Sequence, residues 1–513
     1  MGVKSKHDMC ELDQAKISRG KFFGLGLSAA LLSSGIAPYV AKAQTVNFGA
    51  STSGKLSDYC RGDGSDETDQ IRKCLREHLF VEIDEPPAGV GYGFHIDGSD
   101  GGLLLRSGQE INSQGANSKL LRVGKWARNR IGLRNYDRIN GNSSIKLNNV
   151  YIEGFRNRSD IPYVDSDSDS TGISIRAIAA DKRCRYIELT GVEVHNWPGV
   201  SFRNRNVAHV KYTDVKSVNP ARGGITFNTS NDIKLLRARS INSGDDAIAF
   251  YAAGYRHNNP TPNRPTHGIT VDQCESYTRE NPQFGAAIKF RGAREALVTN
   301  STFRHSKMSS VFLKTEYPGA LHPVDIRIRD CRMRGSMRNS FHIVADGARL
   351  ISVRRNYMYK PAQNCVYICS LDGMRHTFDV NITDNTMVDP GSGRYAYVEE
   401  GISGVSITGN RQLSSDARPR ISNVSPAPGS TTRDATPTIR ATVRDSVTNL
   451  SKYNIKLYFG GKAISRTSFN YDRIKNLLTY TTPKLSRGKK TVKIVATDAA
   501  GNTSRKTWSF TVS

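Results

Sequence analysis

A short string of alternating apolar and polar residues recurs through the middle of the chain. It reads "IELTGVEVHN" at Ile187 and "VKYTDVKSVN" at Val210, and ten such strings lie between residues 145 and 413. A second short apolar strand follows most of them, as in "AIAF" at Ala247, and the step is mostly 23 to 30 residues, with one gap of 40 before Ala287. The two-residue period, without amphipathic helices between the strings, predicts β-strands in a repeating solenoid.

A solenoid of strands separated by short turns is typical of a right-handed parallel β-helix, in which stacked coils bury a common core. Aligning the second strands places one apolar set at the inward position: Phe227, Phe250, Phe290 and Leu313. The alternate positions then point outward on one face. This face carries Tyr251, Lys289, Arg291, Lys314 and His342.

The segment before the repeats predicts a cap for the open end of the solenoid. "RGDGSDETDQIRKCLREH" contains a glycine-rich turn followed by a helical stripe of Ile71, Leu75 and Leu79. This segment resembles the start of the pectate-lyase-like β-helix superfamily, in which a helix covers the first coil. The resemblance implies the fold for residues 44–417, but the fold hosts hydrolases, lyases, epimerases and phage adhesins.

The two ends of the chain differ from its middle. Residues 1–43 have a basic start, an apolar stretch and an Ala41-Lys42-Ala43 cleavage pattern, which predict an export signal and a secreted or cell-surface protein. No later segment is apolar for long enough to span a bilayer. Residues 418–513 show short alternating strands with frequent turns, which predict a small antiparallel sandwich. Their "ATDAAGN" pattern resembles bacterial immunoglobulin-like modules.

The formal net charge of +26 indicates an anionic partner such as an acidic polysaccharide. Basic tracts interleaved with aromatic residues are lacking, so we do not expect a nucleic acid partner. The spacing of Cys60 and Cys74 allows a disulfide. Nothing has the spacing of zinc ligands, and we expect no cofactor.

Two adjacent carboxylates, Asp245 and Asp246 in "SGDDAIAF", precede one of the second strands. Coils are about 4.8 Å apart, so these acids should lie one or two coils from Lys289, Arg291 and Lys314. Carboxylates beside cations on an open groove suit acid–base chemistry on an acidic sugar chain. The structural alternative is a tight turn in which the aspartates bond backbone amides.

The same segment resembles the signature coil of polygalacturonase-type glycoside hydrolases, and "VFLKTEYPG" is similar to a later coil of that family. The resemblance implies that Asp245 and Asp246 are the general acid and base and that Lys314 holds a substrate carboxylate. The chain departs from the family pattern in three places. Arg222 and Gly223 stand where an aspartate is expected, no histidine lies between glycines in "QFGAAIKF", and Phe312 replaces an arginine.

These departures leave three hypotheses open. The first is a secreted glycoside hydrolase that acts on a uronate or sulfated polysaccharide through the aspartate pair. The second is a lyase on the same fold, with Lys289 or Arg291 as the base. The third is a non-catalytic surface or adhesive protein that binds an anionic polymer through the basic groove.

A separate loop, "VDSDSDSTG", carries Asp165, Asp167 and Asp169 at alternate positions. Alternate oxygens can surround a hard cation, which makes the loop a candidate calcium site. The loop lacks the glycine and the closing glutamate of an EF-hand, so a solvated polar loop is the alternative.

Overall fold

The structure is a computed structural model. It describes residues 53–87, 93–97, 101–114, 119–122, 131–154, 170–179, 181–252, 264–278, 285–316, 320–371, 376–414, 418–445, 450–498 and 501–513. The predicted export signal and the three aspartates of the candidate calcium loop lie outside these residues.

Three long parallel sheets form a right-handed β-helix, which confirms the predicted fold. Strands are numbered in chain order. Sheet A contains β1 (Ser53–Lys55), β2 (Phe80–Ile83), β5 (Glu110–Ser113), β8 (Ser143–Asn148), β11 (Cys184–Thr190), β14 (Val207–Thr213), β17 (Asn231–Leu236), β20 (His267–Asp272), β23 (Arg294–Thr299), β26 (Val324–Arg329), β29 (Arg349–Arg354), β32 (His376–Thr383) and β35 (Ile402–Thr408).

Each later coil continues from sheet A into sheet B and then into sheet C. Sheet B contains β3 (Gly93–Ile96), β6 (Lys119–Arg122), β9 (Tyr151–Glu153), β12 (Glu193–His195), β15 (Lys216–Val218), β18 (Arg239–Ser243), β21 (Glu275–Thr278), β24 (Thr302–Arg304), β27 (Arg332–Arg334), β30 (Tyr357–Tyr359), β33 (Thr386–Val388) and β36 (Arg411–Leu413). Sheet C contains β4 (Leu103–Leu105), β7 (Ile131–Asn135), β10 (Thr171–Arg176), β13 (Val200–Arg205), β16 (Ile225–Asn228), β19 (Ile248–Tyr251), β22 (Ile288–Arg291), β25 (Ser309–Lys314), β28 (Asn339–Val344), β31 (Val366–Cys369) and β34 (Ala396–Val398).

The recurring ten-residue string is therefore two strands joined by a sharp corner between sheets A and B. One residue at each corner has a φ between 50° and 64°, in the left-handed region that Asn, Asp and Gly tolerate best. Seven of the ten corner residues belong to these types. The ten are Asn149, Gly191, Asp214, Arg237, Gln273, Asn300, Asp330, Arg355, Asp384 and Gly409.

The residue after each corner points into the solenoid, and in the last coils it is an asparagine. The backbone N–H of Asn356 donates to Asn385 Oδ1 at 2.8 Å, and that of Asn385 donates to Asn410 Oδ1 at 2.9 Å. Their side-chain amides donate to backbone carbonyls of sheet A, for example from Asn385 to Val353 at 2.8 Å. The ladder satisfies polar backbone groups that the corner would otherwise leave buried and unbonded.

The inward positions of sheet C hold the aromatic stack that the repeat alignment predicts. Phe227, Phe250 and Phe290 are fully buried, with ring centroids 5.7 Å and 5.2 Å apart on successive coils. Leu313 continues the same column one coil later. This stack fixes the register of sheet C, because a shift by one residue would exchange its inward and outward sets.

Helix α1 (Thr68–Glu77) caps the first coil, as predicted, but one predicted contact is wrong. The helix ends at Glu77, so Leu79 lies beyond it and is half-buried. Cys74, which is fully buried, completes the stripe with Ile71 and Leu75. Cys60 and Cys74 are both free thiols, and burial raises the pKa of each to about 12.

The C-terminal region forms two further sheets around a separate core. Sheet D contains β37 (Arg420–Ser425), β39 (Thr438–Arg444), β43 (Leu477–Thr481) and β42 (Asn470–Asp472). Sheet E contains β38 (Thr431–Thr432), β45 (Thr503–Val512), β44 (Gly488–Thr497), β40 (Ile455–Phe459) and β41 (Lys462–Ala463). All pairings are antiparallel except that of β38 with β45. The resemblance to immunoglobulin-like modules stays a prediction.

Short turns of 3₁₀-helix cover Leu56–Asp58 and Lys452–Asn454. Within the described residues, no helix has the length and apolar character needed to cross a membrane.

Candidate functional site

The two aspartates lie in the turn between β18 and β19, where the chain passes from sheet B to sheet C. Asp245 is half-buried and Asp246 is 3% exposed. Gly285, in the equivalent turn of the next coil, has a φ of 120°, and a Cβ there would lie 2.6 Å from the carbonyl carbon of Asp245. The coils can therefore approach this closely at the aspartates only because Gly285 has no side chain.

Asp246 is held by three donors. Its Oδ1 accepts the backbone N–H of Ala286 at 2.8 Å, and its Oδ2 accepts the Tyr251 hydroxyl at 2.7 Å. Lys289 Nζ lies 3.1 Å from the same Oδ2. The bond to Ala286 is the kind of backbone contact expected from the structural alternative. Tyr251 belongs to the same coil as Asp246, whereas Ala286 and Lys289 belong to the next coil, so Asp246 links two neighbouring coils.

The charges around Asp246 keep it ionised. Burial alone would raise the pKa of Asp246, but the Lys289 ammonium and the hydrogen bonds from Ala286 and Tyr251 lower it below its ordinary value. For Lys289, burial acts to lower the pKa, yet the attraction of Asp246 raises it overall. Burial and the charge of Asp246 raise the pKa of Tyr251 well above its ordinary value.

Asp245 has the opposite electrostatic environment. Burial and the neighbouring charge of Asp246 raise the pKa of Asp245, and Lys289 and Arg222 offset part of this rise. The two adjacent carboxylates therefore titrate apart, with Asp245 retaining its proton to higher pH than Asp246. Two carboxyl groups with separated pKa values are an arrangement that can divide acid and base roles.

A second ion pair continues the site along sheet C. Tyr251, Arg291 and Lys314 are register partners on β19, β22 and β25, so they lie side by side on one outward face. The Arg291 guanidinium lies 4.1 Å from the centroid of the Tyr251 ring and 3.0 Å from Glu316. Asp246 and Lys314 therefore share one wall of the β-helix, as the repeat alignment requires.

His342 is on the predicted face but is only 4% exposed. Its ring stacks on Phe312 at 4.8 Å and meets Tyr367 edge-on at 5.0 Å, and Nδ1 lies 3.2 Å from Ser309 Oγ. Burial lowers its pKa to about 3, which keeps it neutral. An outward position therefore did not make His342 accessible, and this buried imidazole does not fit the predicted role in substrate binding.

Sequence reasoning missed two charged members of the site. Glu316 pairs with Arg291, and its position two residues after Lys314 in "KTEYPG" was the available signal. Arg222, noted as a departure from the family pattern, is close enough for its charge to lower the pKa of Asp245. A cation thus stands at the position where the resemblance seen in the sequence predicts a further acid.

Among the residues that the structure describes, no group of three or more His, Cys, Asp or Glu side chains could hold a metal ion. The candidate calcium loop with Asp165, Asp167 and Asp169 lies outside that part of the chain.

Comparison with known proteins gives structural neighbours alone. No family model and no curated protein matches the chain. The exopolygalacturonase of Thermotoga maritima is 12% identical over 71% of this chain and 92% of its own, with a TM-score of 0.48. The A-module of the Azotobacter vinelandii mannuronan C-5 epimerase AlgE6 is 14% identical over 70% of this chain and 98% of its own, with a TM-score of 0.46.

Gene product 12 of bacteriophage phi29 is 14% identical over 70% of this chain and 52% of its own, with a TM-score of 0.43. The neighbours thus include polysaccharide-acting enzymes and a phage protein, and similarities at this level carry no activity to this chain.

Proposed function

We propose that this chain hydrolyses glycosidic bonds in an anionic polysaccharide, with Asp245 as the general acid and Asp246 as the general base. The observation that supports this proposal is the separation of the two pKa values, upward for Asp245 and downward for Asp246. Asp245 would donate its proton to the leaving glycosidic oxygen while Asp246 accepts a proton from the attacking water.

Asp246 retains a free acceptor position with which it could bind the attacking water as a general base. A carboxylate has about four acceptor positions, and three are used by Ala286, Tyr251 and Lys289. Arg222, Lys289, Arg291 and Lys314 give the site an excess of positive charge over Asp245, Asp246 and Glu316. That balance favours a uronate or sulfated chain over a neutral one.

The same charges argue against elimination by a lyase mechanism. Lys289 would have to lose its proton to act as a base, yet its contact with Asp246 raises its pKa. Arg291 is paired with Glu316, and a guanidinium stays charged at any pH at which the protein is folded. Neither side chain is therefore suited to abstract a proton from the sugar.

Binding without catalysis is the second candidate, and the burial of Asp246 favours it. At 3% exposure, the Asp246 carboxylate would then stabilise the contact between two coils, while the surrounding cations bind the polymer. Hydrolysis requires that substrate and water reach Asp246, whereas binding does not.

The test is incubation of the full chain with polygalacturonate, mannuronan and a sulfated dextran, with neutral dextran as the control polymer. We expect new reducing ends without absorbance from unsaturated uronates. The D245N variant should lose at least 100-fold in rate, since general acid catalysis contributes about 10² to 10⁴, and should keep polymer binding and the melting temperature.

The matched control variant is D325N. Asp325 is a partly exposed carboxylate on β26 that contacts Arg327 at 2.9 Å, and it belongs to sheet A, not to sheet C. Unchanged hydrolysis in D245N would refute the acid role. Retention of polymers without products by the wild type would favour the binding protein, and unsaturated products would favour the lyase.

We also propose that the protein is secreted, because a polysaccharide too large to enter the cell must be hydrolysed outside it. The predicted cleavage after Ala43 gives a mature chain that starts at Gln44. N-terminal sequencing of the protein recovered from culture medium tests this, and a full-length chain confined to the cytoplasm would contradict it.

A further inference from the structure

The outer face of sheet B brings arginines into direct opposition on neighbouring coils. Arg304 on β24 and Arg334 on β27 are register partners, and Arg332 lies beside them on β27. Like charges directly opposite each other in a sheet are destabilising. The repulsion between Arg304 and Arg334 therefore lowers the stability of the fold at this position.

Carboxylates near these arginines are few. Glu275 contacts both Arg304 and Arg239, so one acid serves two cations. Within the described residues, no carboxylate comes within ion-pair distance of Arg332 or Arg334.

Opposed arginines on sheet A show a contrasting pattern. Arg354 on β29 faces Arg329 on β26, but Arg354 contacts Asp384 at 2.9 Å. Arg355, at the corner that follows β29, forms two hydrogen bonds to Asp330, at 2.9 Å and 2.8 Å. An acid on the neighbouring coil thus neutralises each of these two cations. The same arrangement was available to sheet B and is absent around Arg332 and Arg334.

A cleft next to Arg332 extends the positive surface to the C-terminal region. Its volume is about 370 Å³, and it lies between β27 and the strands of sheet E. Arg332, Lys456 and Arg505 line it together with a single carboxylate, Asp498. Arg332 also donates a hydrogen bond to Asn454 Oδ1 at 3.4 Å across the cleft.

Aromatic rings border this surface. The Arg304 guanidinium lies 5.3 Å from the ring centroid of Tyr277, and that of Arg334 lies 5.7 Å from the ring of Tyr359. Tyr453, which also lines the cleft, is 75% exposed. Flat amphipathic rings beside cations offer both stacking and ionic contacts to a ligand.

We propose that Arg304, Arg332, Arg334 and the adjoining cleft form a second, non-catalytic binding site for an acidic polysaccharide. The bound carboxylate or sulfate groups would neutralise the opposed arginines and so remove the repulsion. The site lies on the outer face of sheet B, two and three coils beyond the turn that carries Asp245 and Asp246. A polymer held there would stay near the proposed catalytic site between cleavage events. This inference rests on the proposed function for the choice of polymer, and binding at sheet B does not require hydrolysis.

The test compares two double variants of the full chain with equal changes in net charge. R304Q/R334Q removes the opposed arginines of sheet B. R354Q/R355Q removes two neutralised arginines, one at the end of β29 and one at the corner that follows it. Affinity for polygalacturonate and for dextran sulfate is measured by titration at several salt concentrations, with neutral dextran and duplex DNA as further probes.

For R304Q/R334Q we expect affinity for the acidic polysaccharides to fall at least tenfold, since a hydrogen bond to a charged group accounts for about that factor or more. The slope of log affinity against log salt should fall by about one for each cation that contacts the polymer. R354Q/R355Q should bind within about twofold of the wild type, because each of its arginines has its own acid, whereas Arg304 shares Glu275 with Arg239. If R304Q/R334Q does not fold, R332Q gives the same comparison against R354Q.

Equal affinity of R304Q/R334Q and the wild type would overturn the inference, as would an equal loss in both double variants, which would indicate a general effect of net charge. Tight binding of DNA without binding of the polysaccharides would overturn the choice of ligand. The proposed catalysis fails separately, through unchanged hydrolysis in D245N, so the two failures are distinguishable.

Discussion

Replacing Lys289 by methionine tests the electrostatic account of the site. Lys289 Nζ lies 3.1 Å from Asp246 Oδ2, and the side chains are 18% and 5% exposed. Breaking a buried ion pair by removing one partner costs about 3–5 kcal/mol, because the other charge stays buried without compensation. Asp246 keeps its bonds from Ala286 and Tyr251, so we expect the lower end, about 3 kcal/mol at pH 7.

The deficit should depend on pH with a definite sign. In the wild type the folded-state pKa of Asp246 lies below its ordinary value, so its stabilisation is present at neutral pH and is lost as pH falls through that lowered pKa. Without Lys289, we expect burial to outweigh the two remaining hydrogen bonds, so that the folded-state pKa of Asp246 rises above the unfolded value of about 3.9. The variant is then penalised as pH rises above that value, and its deficit should shrink as pH falls from 7 toward 4.

The assay is urea unfolding of the wild type and K289M at pH 7 and pH 4, followed by the transition of the β-helix. K234M is the control, because Lys234 is 64% exposed and lies 3.9 Å from Asp232 on sheet A. A surface pair of this kind contributes about 1 kcal/mol at most. A loss below about 1 kcal/mol in K289M, or a deficit equal at both pH values, would refute the reasoning.

Three further outcomes are expected. The rate of hydrolysis should fall at low pH as Asp246 is protonated, at a pH below the ordinary carboxyl pKa range. It should also fall at high pH as Asp245 loses its proton, at a pH above that range. Loss of activity within the ordinary range on either side would contradict the assigned pKa directions. Y251F should cost about 1.5–3 kcal/mol in urea unfolding, since it removes one hydrogen bond to a charged group, and should move the acid limb of that profile to higher pH while the ring still stacks on Arg291. N385A should lower the free energy of unfolding by about 3 kcal/mol, because it breaks the buried hydrogen bonds to Asn356 and Val353. N381A, at an exposed position of β32, should change it by no more than about 0.5 kcal/mol. Equal effects of the two variants would show that the asparagine ladder does not stabilise the fold.

The coil architecture could be predicted because the solenoid repeats one local rule many times. The column of Phe227, Phe250 and Phe290 is visible in the sequence once the strands are aligned, since inward positions must be apolar in every coil. The corner between sheets A and B was harder to locate. Arg237, Gln273 and Arg355 adopt the left-handed conformation without being Asn, Asp or Gly, so composition alone does not mark the bend.

The sequence predicts where the site residues lie on the β-helix, but it does not predict how far each side chain is buried. Alignment placed Tyr251, Lys289, Arg291 and Lys314 on the outer face of sheet C, and their register partners agree with that placement. Alternation distinguishes inward from outward, yet it does not say whether the outward face is covered. Lys289 and His342 are both outward and both largely buried, so contacts made after the sheet forms decide their accessibility.

The net charge of +26 does not reveal how charge is distributed over the outer faces of sheets A, B and C. Identical spacing between coils brings charges together on each sheet, and the placement of the acids decides the result. At the end of β29 and the corner after it, Arg354 and Arg355 each pair with an acid on a neighbouring coil, which neutralises them. In the turn before β19 of sheet C, Asp246 pairs with Lys289 and its pKa is lowered, whereas the pKa of Asp245 is raised. On sheet B Arg304 faces Arg334, so the positive charge that remains there is available to an external anion.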